Sequence, residues 1–543
     1  MAPTTGPVVT RADIARRTAV RRPAVSNWQR RYADFPEAVS RSDEDVELFP
    51  EAEVQTWLDR RVIPANARQA GEGAGATYGD RFRRKDATEG FVAAVRALAT
   101  DPRHFGGHIP HDHYLLFLMA LVHVRQLRPE VWRACSDRQG DVVGAVRHVL
   151  WEDGAYHLAD LLGRSLDRCP PRMAGELVAA LGPAAPAGAS APESEAGAEA
   201  FDLLLAAYGD VTGGTAGELP TPPSVARAVA GMLMAGPPSG DGPPVRLHDP
   251  YCRAGEMLAA SVDAVRASAP VPPSLSVSGA GTQAVPCELA GMNLAQRHQP
   301  ADLRTEPGAQ DRGADTGGRF DRVLTNPPFN ARLTTRGSGH LAPHWSYGEP
   351  PAHNANYDWL QSVVHSLSER GRACVVMPTN AASSAHAGER RIRRGMIEDG
   401  AVEALVALPP QLFPATAVAV SVWILKRPAG SCRDVFFLDA TGLGSMASRT
   451  RRVLAAEDTD LLVRITGSRE ERRGLSRIVG IDEIRAHGHS LSATAYLTTL
   501  ATEPSREATG GQVRALAGRL AELGDRARDV DRHIEALFKE YGL

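Results

Sequence analysis

Residues 326–329 read Asn-Pro-Pro-Phe and directly follow an apolar run at 320–325. Because Pro327 and Pro328 fix φ and remove donors from a sheet ladder, the run is expected to end in a stiff turn. The side-chain oxygen of Asn326 and the backbone carbonyl of Pro327 can then each accept one hydrogen of an exocyclic amino group. Accepting both hydrogens takes the nitrogen lone pair out of conjugation and directs it at an incoming methyl group. The tetrad therefore predicts methyl transfer to an amino group of a base.

The aromatic member of the tetrad, Phe329, adds a surface for that base. Its ring can stack on a base face, a contact worth roughly 1–3 kcal/mol that tolerates any base. No strong general base is required, because a sulfonium methyl donor already carries an excellent leaving group. The structural alternative is a proline-rich loop that closes a strand.

The tetrad is similar to the catalytic motif of N6-adenine DNA methyltransferases, especially the modification subunits of type I restriction-modification systems. Other segments resemble that family, in the same order, across roughly residues 200–440: the threonine-proline pair at 221–222, the cofactor loop at 249–255, a helix at 291–295, and segments at 371–378 and 408–426. The resemblance implies an α/β fold with a Rossmann-like core that binds S-adenosylmethionine. It implies cofactor contacts from Thr221, Pro222, Asp249, Pro250, Cys252 and Gly255.

Two departures from the family pattern fall where the cofactor is expected. The family has glycine at the position of Arg253, and its ribose-binding acid falls on Gly281. An acid expected before the catalytic strand is also displaced, since Gly308-Ala309 stands there. Losing two hydrogen bonds to charged groups would weaken binding by about 3–6 kcal/mol, so we expect S-adenosylmethionine binding that is real but weak. The carboxylates that could substitute are Glu256, Glu288 and Asp311.

Alternating strand and helix patterns over 201–440 predict a mostly parallel sheet with helices on both faces. A strand at 245–248 opens into the loop that begins at Asp249, the position where such sheets bind a nucleoside. Between the tetrad and the next helix lies a loop rich in aromatic and amide side chains, for which packing and the holding of an extruded base both remain open. Its members are Trp345, Tyr347, Asn356, Tyr357 and Trp359.

The first 60 residues resemble a small DNA-binding unit. Thr10 is a suitable N-cap for one helix, and Pro23 lies in the first turn of a second. This layout is typical of a winged helix-turn-helix, whose second helix enters the major groove. The predicted base contacts are Ser26, Asn27, Arg30 and Arg31, with Arg16, Arg17, Arg21 and Arg22 for phosphates. The alternative is an arginine-rich helical module that binds protein.

Composition and periodicity divide the chain into seven segments. Stretches rich in Gly, Ala and charge, or in Ala, Gly, Pro, Ser and Glu, are predicted as linkers. The division is a winged helix-turn-helix (1–62), a linker (63–90), a helical domain (91–181), a linker (182–200), the methyltransferase core (201–440), a mixed α/β extension (441–505) and a coiled-coil helix (506–543).

The C-terminal segment carries an apolar stripe from Val513 to Tyr541 at unbroken spacings of three and four. Four heptads of apolar a and d positions predict a coiled coil. A specificity subunit is the first expected partner, and a second copy of this chain is the next. The alternative is an amphipathic helix that folds back on its own domain.

Composition also limits the class of protein. The formal net charge is −3, so any DNA-binding surface must be a local patch. No apolar run is long enough to span a membrane, and no signal peptide is evident. Six cysteines without CxxC spacing argue against zinc or disulfides and fit a cytoplasmic protein. The histidines at 104, 108, 111 and 113 lack metal-ligand spacing, so no metal is expected.

These observations favour a site-specific DNA adenine-N6 methyltransferase that uses S-adenosylmethionine on double-stranded DNA. A duplex adenine must be flipped out of the stack to react. The alternative is a DNA-binding protein that keeps a degenerate, inactive methyltransferase fold. A nuclease fusion is disfavoured, because no clear PD-(D/E)xK arrangement is found.

Overall fold

The computed structural model describes residues 7–497 except for thirteen internal gaps. These gaps are 42–46, 65–66, 69–74, 101–108, 137–140, 168–169, 185–190, 213–219, 236–242, 269–271, 306–316, 334–344 and 414–417, together with the side chains of 84–88, 171 and 191–194. The coiled coil predicted at 506–543 lies outside the described residues. No helix within the described part of the chain is both long and apolar enough to cross a membrane.

The N-terminal unit contains two short helices, a small antiparallel sheet and a third helix. Thr10 caps the first helix as predicted, since it exchanges hydrogen bonds with Asp13 in a capping box. The second helix begins with Pro23 in its first turn and buries Val25. The elements are β1 (Val8–Thr10), α1 (Arg11–Arg17), α2 (Arg22–Arg31), β2 (Ser40–Arg41), β3 (Glu47–Pro50) and α3 (Glu51–Asp59), with the strands in the order β1-β3-β2.

Seven helices form the next unit. Its central helix is buried along most of its length, because its sequence is apolar on every face. The helices are α4 (Tyr78–Thr100), α5 (His111–Leu127), α6 (Pro129–Ser136), α7 (Val142–Glu152), α8 (Tyr156–Leu166), α9 (Pro171–Leu181) and α10 (Ala191–Thr212).

Both stretches predicted as linkers contain the start of a long helix instead. Helix α4 begins inside 63–90, where Thr77 and Asp80 exchange hydrogen bonds of 2.9 and 3.1 Å in a capping box. Helix α10 begins inside 182–200, where alanine has the highest helix propensity of any residue. Tertiary packing supplies most of the stability of such helices. Because composition does not show that packing, these stretches were predicted as linkers.

A nine-stranded mixed sheet forms the centre of the molecule, in the order β14-β11-β9-β10-β8-β7-β4-β5-β6. Strands β4 to β8 run parallel to one another, while β10 runs antiparallel to both β8 and β9. The strands are β4 (Val245–Asp249), β5 (Leu275–Gly281), β6 (Ala301–Thr305), β7 (Phe320–Thr325), β8 (Leu367–Pro378), β9 (Val402–Ala407), β10 (Val420–Lys426), β11 (Asp434–Asp439) and β14 (Ser476–Gly480), with a separate hairpin of β12 (Ser445–Met446) and β13 (Arg452–Val453).

Helices cover both faces of this sheet, so the expected α/β fold is confirmed. One apolar core lies under α11, α12 and α16, and the other lies under α14, α15 and α18. The helices are α11 (Pro223–Met234), α12 (Glu256–Ser268), α13 (Ala284–Gln296), α14 (Asn356–Ser366), α15 (Ala387–Glu398), α16 (Ala456–Ser468), α17 (Ile481–Ala486) and α18 (Ala493–Leu497), with a 3₁₀ turn at Thr379–Ser383.

The extension predicted at 441–505 is not separate from the core sheet. Its strand β14 pairs antiparallel with β11 through five consecutive residue pairs from Asp434 to Leu438. Its helix α16 packs on α11. This pairing connects residues distant in sequence, so local periodicity did not indicate it.

Candidate active site

The tetrad lies at the carboxyl end of β7, next to β4. The chain proceeds from β4 to β5 and β6 on one side, and from β7 to β8 on the other. Such a reversal opens a crevice above the sheet in which ligands bind. The guanidinium of Arg246 on β4 bonds Asp321 on β7 at 2.8 Å and holds the pKa of that carboxyl at about 2. This ion pair ties together the two strands that carry the predicted site.

The carboxamide of Asn326 is held at its nitrogen end. The residue is 4% exposed, and its Nδ2 donates to the Oγ1 of Thr221 at 3.0 Å. Its Oδ1 is buried and accepts no hydrogen bond from any residue that the structure describes. A buried acceptor without a donor costs about 1–3 kcal/mol. This oxygen is therefore suited to a donor that arrives with a substrate.

The rest of the tetrad places a second acceptor and an aromatic ring beside that oxygen. Pro327 is buried, and no backbone N–H in the described part of the chain donates to its carbonyl. Phe329 is partly exposed and packs edge to face against Phe413, with ring centroids 5.9 Å apart. Its remaining ring surface is available for stacking. Pro328, between them, is partly exposed and fixes the turn.

Two asparagines, Asn330 and Asn356, hydrogen-bond to each other just after the tetrad. Asn330 adopts a positive φ of 53°, a conformation that asparagine tolerates better than most residues. Its backbone N–H donates to Asn356 Oδ1 and its side-chain oxygen accepts from Asn356 Nδ2, both at 3.0 Å. The start of α14 thereby fixes the chain immediately after Phe329. Sequence reasoning missed this pair, because no local pattern links positions 26 residues apart.

The threonine-proline pair reaches the tetrad from helix α11. Thr221 is 4% exposed, and Pro222 is the N-cap of the helix, which begins at Pro223. Both residues are among the predicted cofactor contacts. The structure also brings Thr221 into direct contact with Asn326, which the sequence did not indicate.

The predicted cofactor loop follows β4 and crosses the end of β5. The carboxylate of Asp249 accepts the Tyr251 N–H at 2.9 Å, while burial raises the pKa of this carboxyl to about 7. The N–H of Cys252 donates to the Ala280 carbonyl at 2.8 Å, and Pro250 is buried beneath the turn. The loop is therefore tied to β4, which it follows, and to the neighbouring strand β5.

Two positions in this loop have left-handed backbone. Gly255 has a φ of 74°, and a Cβ there would lie 3.0 Å from the Cβ of Ala290, so only glycine fits. Arg253 has a φ of 47°, at the position where the resembled family has glycine. A non-glycine residue in this region costs roughly 1–2 kcal/mol. Arg253 therefore has the left-handed backbone that favours glycine, although it is not glycine.

A cavity of about 300 Å³ lies between this loop, the end of β5 and helix α10. Gly281 is the last residue of β5, as predicted, and it lines the cavity with Thr282 and Gln283. Of the three predicted substitute acids, Glu256 lines the cavity. Glu288 instead accepts the N–H groups at the start of α8, and Asp311 lies outside the described residues.

Glu256 lies at the first position of α12, half-buried beside Arg253. Burial raises the pKa of this carboxyl, while the charge of Arg253 and nearby backbone N–H groups, including that of Thr221, oppose the rise. The cavity thus contains one cation and one carboxylate in a mostly uncharged lining.

Two thiols meet beneath the same cavity. Cys252 and Cys287 hydrogen-bond to each other, and a Cβ added at Gly281 would lie 3.9 and 3.7 Å from their sulfurs. The Cys252 thiol lowers the pKa of Cys287 to about 7. A Cβ at Gly281 would meet this pair at ordinary van der Waals distances, so packing alone does not require glycine where an acid was expected.

The residues predicted to form one aromatic loop are divided between the segment before α14 and α14 itself, which contains Asn356, Tyr357 and Trp359. Trp345 Nε1 donates to Asp358 at 2.6 Å, and Tyr347 OH donates to Asp399 at 2.7 Å. Tyr357 is fully buried and donates to a backbone carbonyl, and Trp359 packs against Tyr251. These contacts favour the packing reading over the holding of an extruded base.

The residues predicted to contact DNA bases lie on α2. Ser26, Asn27, Arg30 and Arg31 are all exposed, and Arg30 hydrogen-bonds Asn27. Two of the arginines predicted to contact phosphates already form ion pairs within the protein. Arg16 pairs with Asp13 and Glu89, and Arg17 pairs with Glu51. Arg21 and Arg22 are exposed and form no ion pair within the described part of the chain. DNA contact by this helix stays a prediction.

Known proteins match this chain over its core. A family model described as N-6 DNA Methylase matches residues 194–505. The methylase subunit of the type I restriction enzyme HindI from Haemophilus influenzae is 26% identical over 348 residues, which cover 62% of this chain and 76% of that protein. The MjaIX methylase subunit from Methanocaldococcus jannaschii is 27% identical over 314 residues, or 55% of this chain and 54% of that protein.

The same likeness extends to solved structures. A type I restriction-modification system methyltransferase subunit from Streptococcus thermophilus superposes with a TM-score of 0.57 at 18% identity, covering 76% of this chain and 99% of that one. At this identity the match concerns the fold alone.

Proposed function

Because this chain belongs to the N-6 DNA methylase family, we propose that it is the modification subunit of a type I restriction-modification system and methylates N6 of adenine in double-stranded DNA. The observation that carries the proposal is the Asn326 carboxamide, with its nitrogen fixed and its buried oxygen unpartnered at the switch point of the sheet. Within the tetrad, this oxygen is the buried side-chain acceptor that has no donor among the described residues.

The reaction follows from two acceptors and one ring. A flipped adenine would present its amino group between Asn326 Oδ1 and the Pro327 carbonyl, and its face to Phe329. Each acceptor takes one amino hydrogen, so the nitrogen lone pair points out of the base plane. As the N–C bond forms, the bond from the methyl carbon to the sulfonium sulfur would break and leave its electron pair on sulfur, and the nitrogen would release one proton to solvent. Flipping costs a few kcal/mol, which stacking and the two hydrogen bonds offset.

S-adenosylmethionine is the methyl donor, and when bound it supplies an electrophilic methyl group on a sulfonium. The residues present fit it: the loop from Asp249 turns at Gly255, which has a φ of 74°, and this loop lines a cavity with Gly281 at the end of β5. Thr221 and Pro222 line a second cavity together with Glu256, and Pro250 and Cys252 are buried within the loop. Weak binding of S-adenosylmethionine stays a prediction, based on the absence of an acid at Gly281 and on the arginine at position 253. Asp249→Ala should remove most binding in calorimetry, because this carboxyl organises the loop.

The partners follow from the same assignment. Double-stranded DNA is the substrate, and a specificity subunit would select its sequence. The alternative of a DNA-binding protein with an inactive methyltransferase fold is disfavoured by the family match and by the preserved acceptor geometry.

Direct sequencing for N6-methyladenine tests the proposal in a host that lacks DNA methylation. The chain should be expressed with and without its neighbouring genes, and methylated adenines should occupy one sequence motif. Asn326→Ala should abolish methylation, whereas Phe329→Tyr should retain it because the ring face is kept. Phe329→Ala should be intermediate. Substantial methylation by Asn326→Ala would exclude the role given to this amide.

A further inference from the structure

The hydrogen bond between Asn326 and Thr221 joins two buried side chains 105 residues apart in sequence. Its donor is the amide nitrogen, so the amide oxygen faces away from Thr221. Of the two polar ends of this carboxamide, one has a partner inside the protein and the other has none among the described residues.

Which end of the Asn326 carboxamide faces the substrate, oxygen or nitrogen, matters when the substrate group is an amino group. An amino group offers hydrogens, so it can be held only by an acceptor. If the Asn326 carboxamide rotated by half a turn about χ2, its NH₂ would face the substrate amino group and that hydrogen bond would be lost, although the Thr221 hydroxyl could then donate to Oδ1. Asparagine χ2 is a broad torsion with two nearly equivalent orientations, so packing alone selects poorly between them.

We propose that Thr221 is a positioning residue that anchors the Asn326 carboxamide at the place where its oxygen can accept from the substrate amino group. The proposal rests on the proposed function and adds to Thr221 a role distinct from cofactor contact. Thr221 would act through Asn326 alone and would touch neither the base nor the methyl group.

The cofactor cavity is connected to this pair. The backbone N–H of Thr221 faces the Glu256 carboxylate, and Glu256 lines the cavity beside Arg253. Thr221 also precedes α11 directly, where Pro222 and Pro223 restrict its backbone. Thr221 is therefore held by its main chain, which leaves its hydroxyl free to orient the amide.

Replacing the hydroxyl while keeping the shape of the side chain tests the proposal. Thr221→Val should lower kcat on the order of 10²-fold, the loss expected from a misplaced reacting group. Thr221→Ser, which keeps the hydroxyl, should restore kcat to within a few-fold of the parent. Ser224→Ala removes another buried hydroxyl from the same helix end and should leave kcat unchanged. Thermal unfolding of each variant shows whether it is folded.

Two binding measurements separate positioning from cofactor contact. Calorimetry with S-adenosylmethionine should give the same Kd for Thr221→Val as for the parent. Competition binding should show that the parent prefers target DNA carrying adenine over DNA carrying purine, which lacks the amino group. Thr221→Val should lose that preference, since its amide no longer presents a fixed acceptor.

The outcomes are distinct. Full kcat in Thr221→Val, or a loss explained entirely by a higher Kd for S-adenosylmethionine, overturns the positioning role and leaves the proposed function intact. Failure of Thr221→Ser to rescue a folded protein also overturns it. Absence of methylation by the parent chain, with its partner genes present, defeats the proposed function and this inference together.

Discussion

Asp249 is a carboxyl whose surroundings favour its neutral form. It is fully enclosed at the end of β4, with a single backbone donor at 2.9 Å from Tyr251. Burial raises its pKa from 3.8 to about 7. A proton bound in the folded chain and absent from the unfolded chain makes stability depend on pH.

We expect Asp249→Asn to remove this dependence. In the parent the folded pKa lies above the unfolded one, so the stabilising protonation is complete below about 4 and is lost as pH rises through about 7. Urea unfolding without cofactor should show the parent losing up to a few kcal/mol, relative to the variant, between pH 4 and pH 8. Asparagine keeps the shape and the acceptor for Tyr251. A parent-to-variant difference that is constant with pH would show that the carboxyl does not titrate there.

Arg253 offers a second test at the scale of one residue. Its φ of 47° favours glycine, and its cation faces the cofactor cavity. Arg253→Gly should raise the free energy of unfolding by up to about 1 kcal/mol and should lower the Kd for S-adenosylmethionine in calorimetry. Arg253→Ala is the matched control, since it removes the charge but keeps the Cβ. Equal stability of the two variants would mean that the backbone conformation carries no strain.

At the scale of elements, α2 is the part of the N-terminal unit best suited to DNA. Arg21 and Arg22 begin this helix without ion-pair partners among the described residues, and the predicted base contacts follow on its exposed surface. The acidic partners of Arg16 and Arg17 lower the charge available beside it.

Replacing both Arg21 and Arg22 with glutamine should weaken DNA binding and its salt dependence. Each lost phosphate contact lowers the slope of log K against log salt by about 0.9. Arg16→Gln is the control, because its guanidinium already pairs with two carboxylates. Titrations at several salt concentrations measure the slope. If it is the same in all three proteins, the N-terminal unit has a partner other than DNA.

The elements around the site divide into those that local sequence predicts and those that it does not. The strand before Asn326, the loop from Asp249 and the end of β5 at Gly281 follow from short apolar runs that stop at proline or glycine. The Asn330–Asn356 pair and the Thr221–Asn326 bond join distant segments, so no periodicity reveals them. The start of helix α10 was not predicted, because its composition is compatible with both a helix and a linker.

At the scale of the whole molecule, the C-terminal stripe from Val513 to Tyr541 lies outside the described residues and stays a prediction. Leu520→Asp combined with Ile534→Asp should break any coiled coil, since loss of one buried leucine or isoleucine costs about 2–5 kcal/mol. Light scattering and capture of a specificity subunit would show loss of partner or dimer. The core, distant in sequence, should unfold as in the parent. Unchanged size and unchanged capture would indicate a helix that packs on its own domain.

Helix α10 belongs to two units at once. Phe201 and Leu204 lie in the same apolar cluster as Leu289 and Met292 of α13, and Asp202 bonds Arg297 at 2.7 Å. A recombination event between these two helices, within 213–283, would join an α10 from one parent to an α13 from another, and their side chains would no longer fit together. We therefore expect natural and laboratory chimaeras of this chain to inherit residues 191–297 as one block, so that the helical unit and the methyl-transferring unit diversify together rather than by exchange.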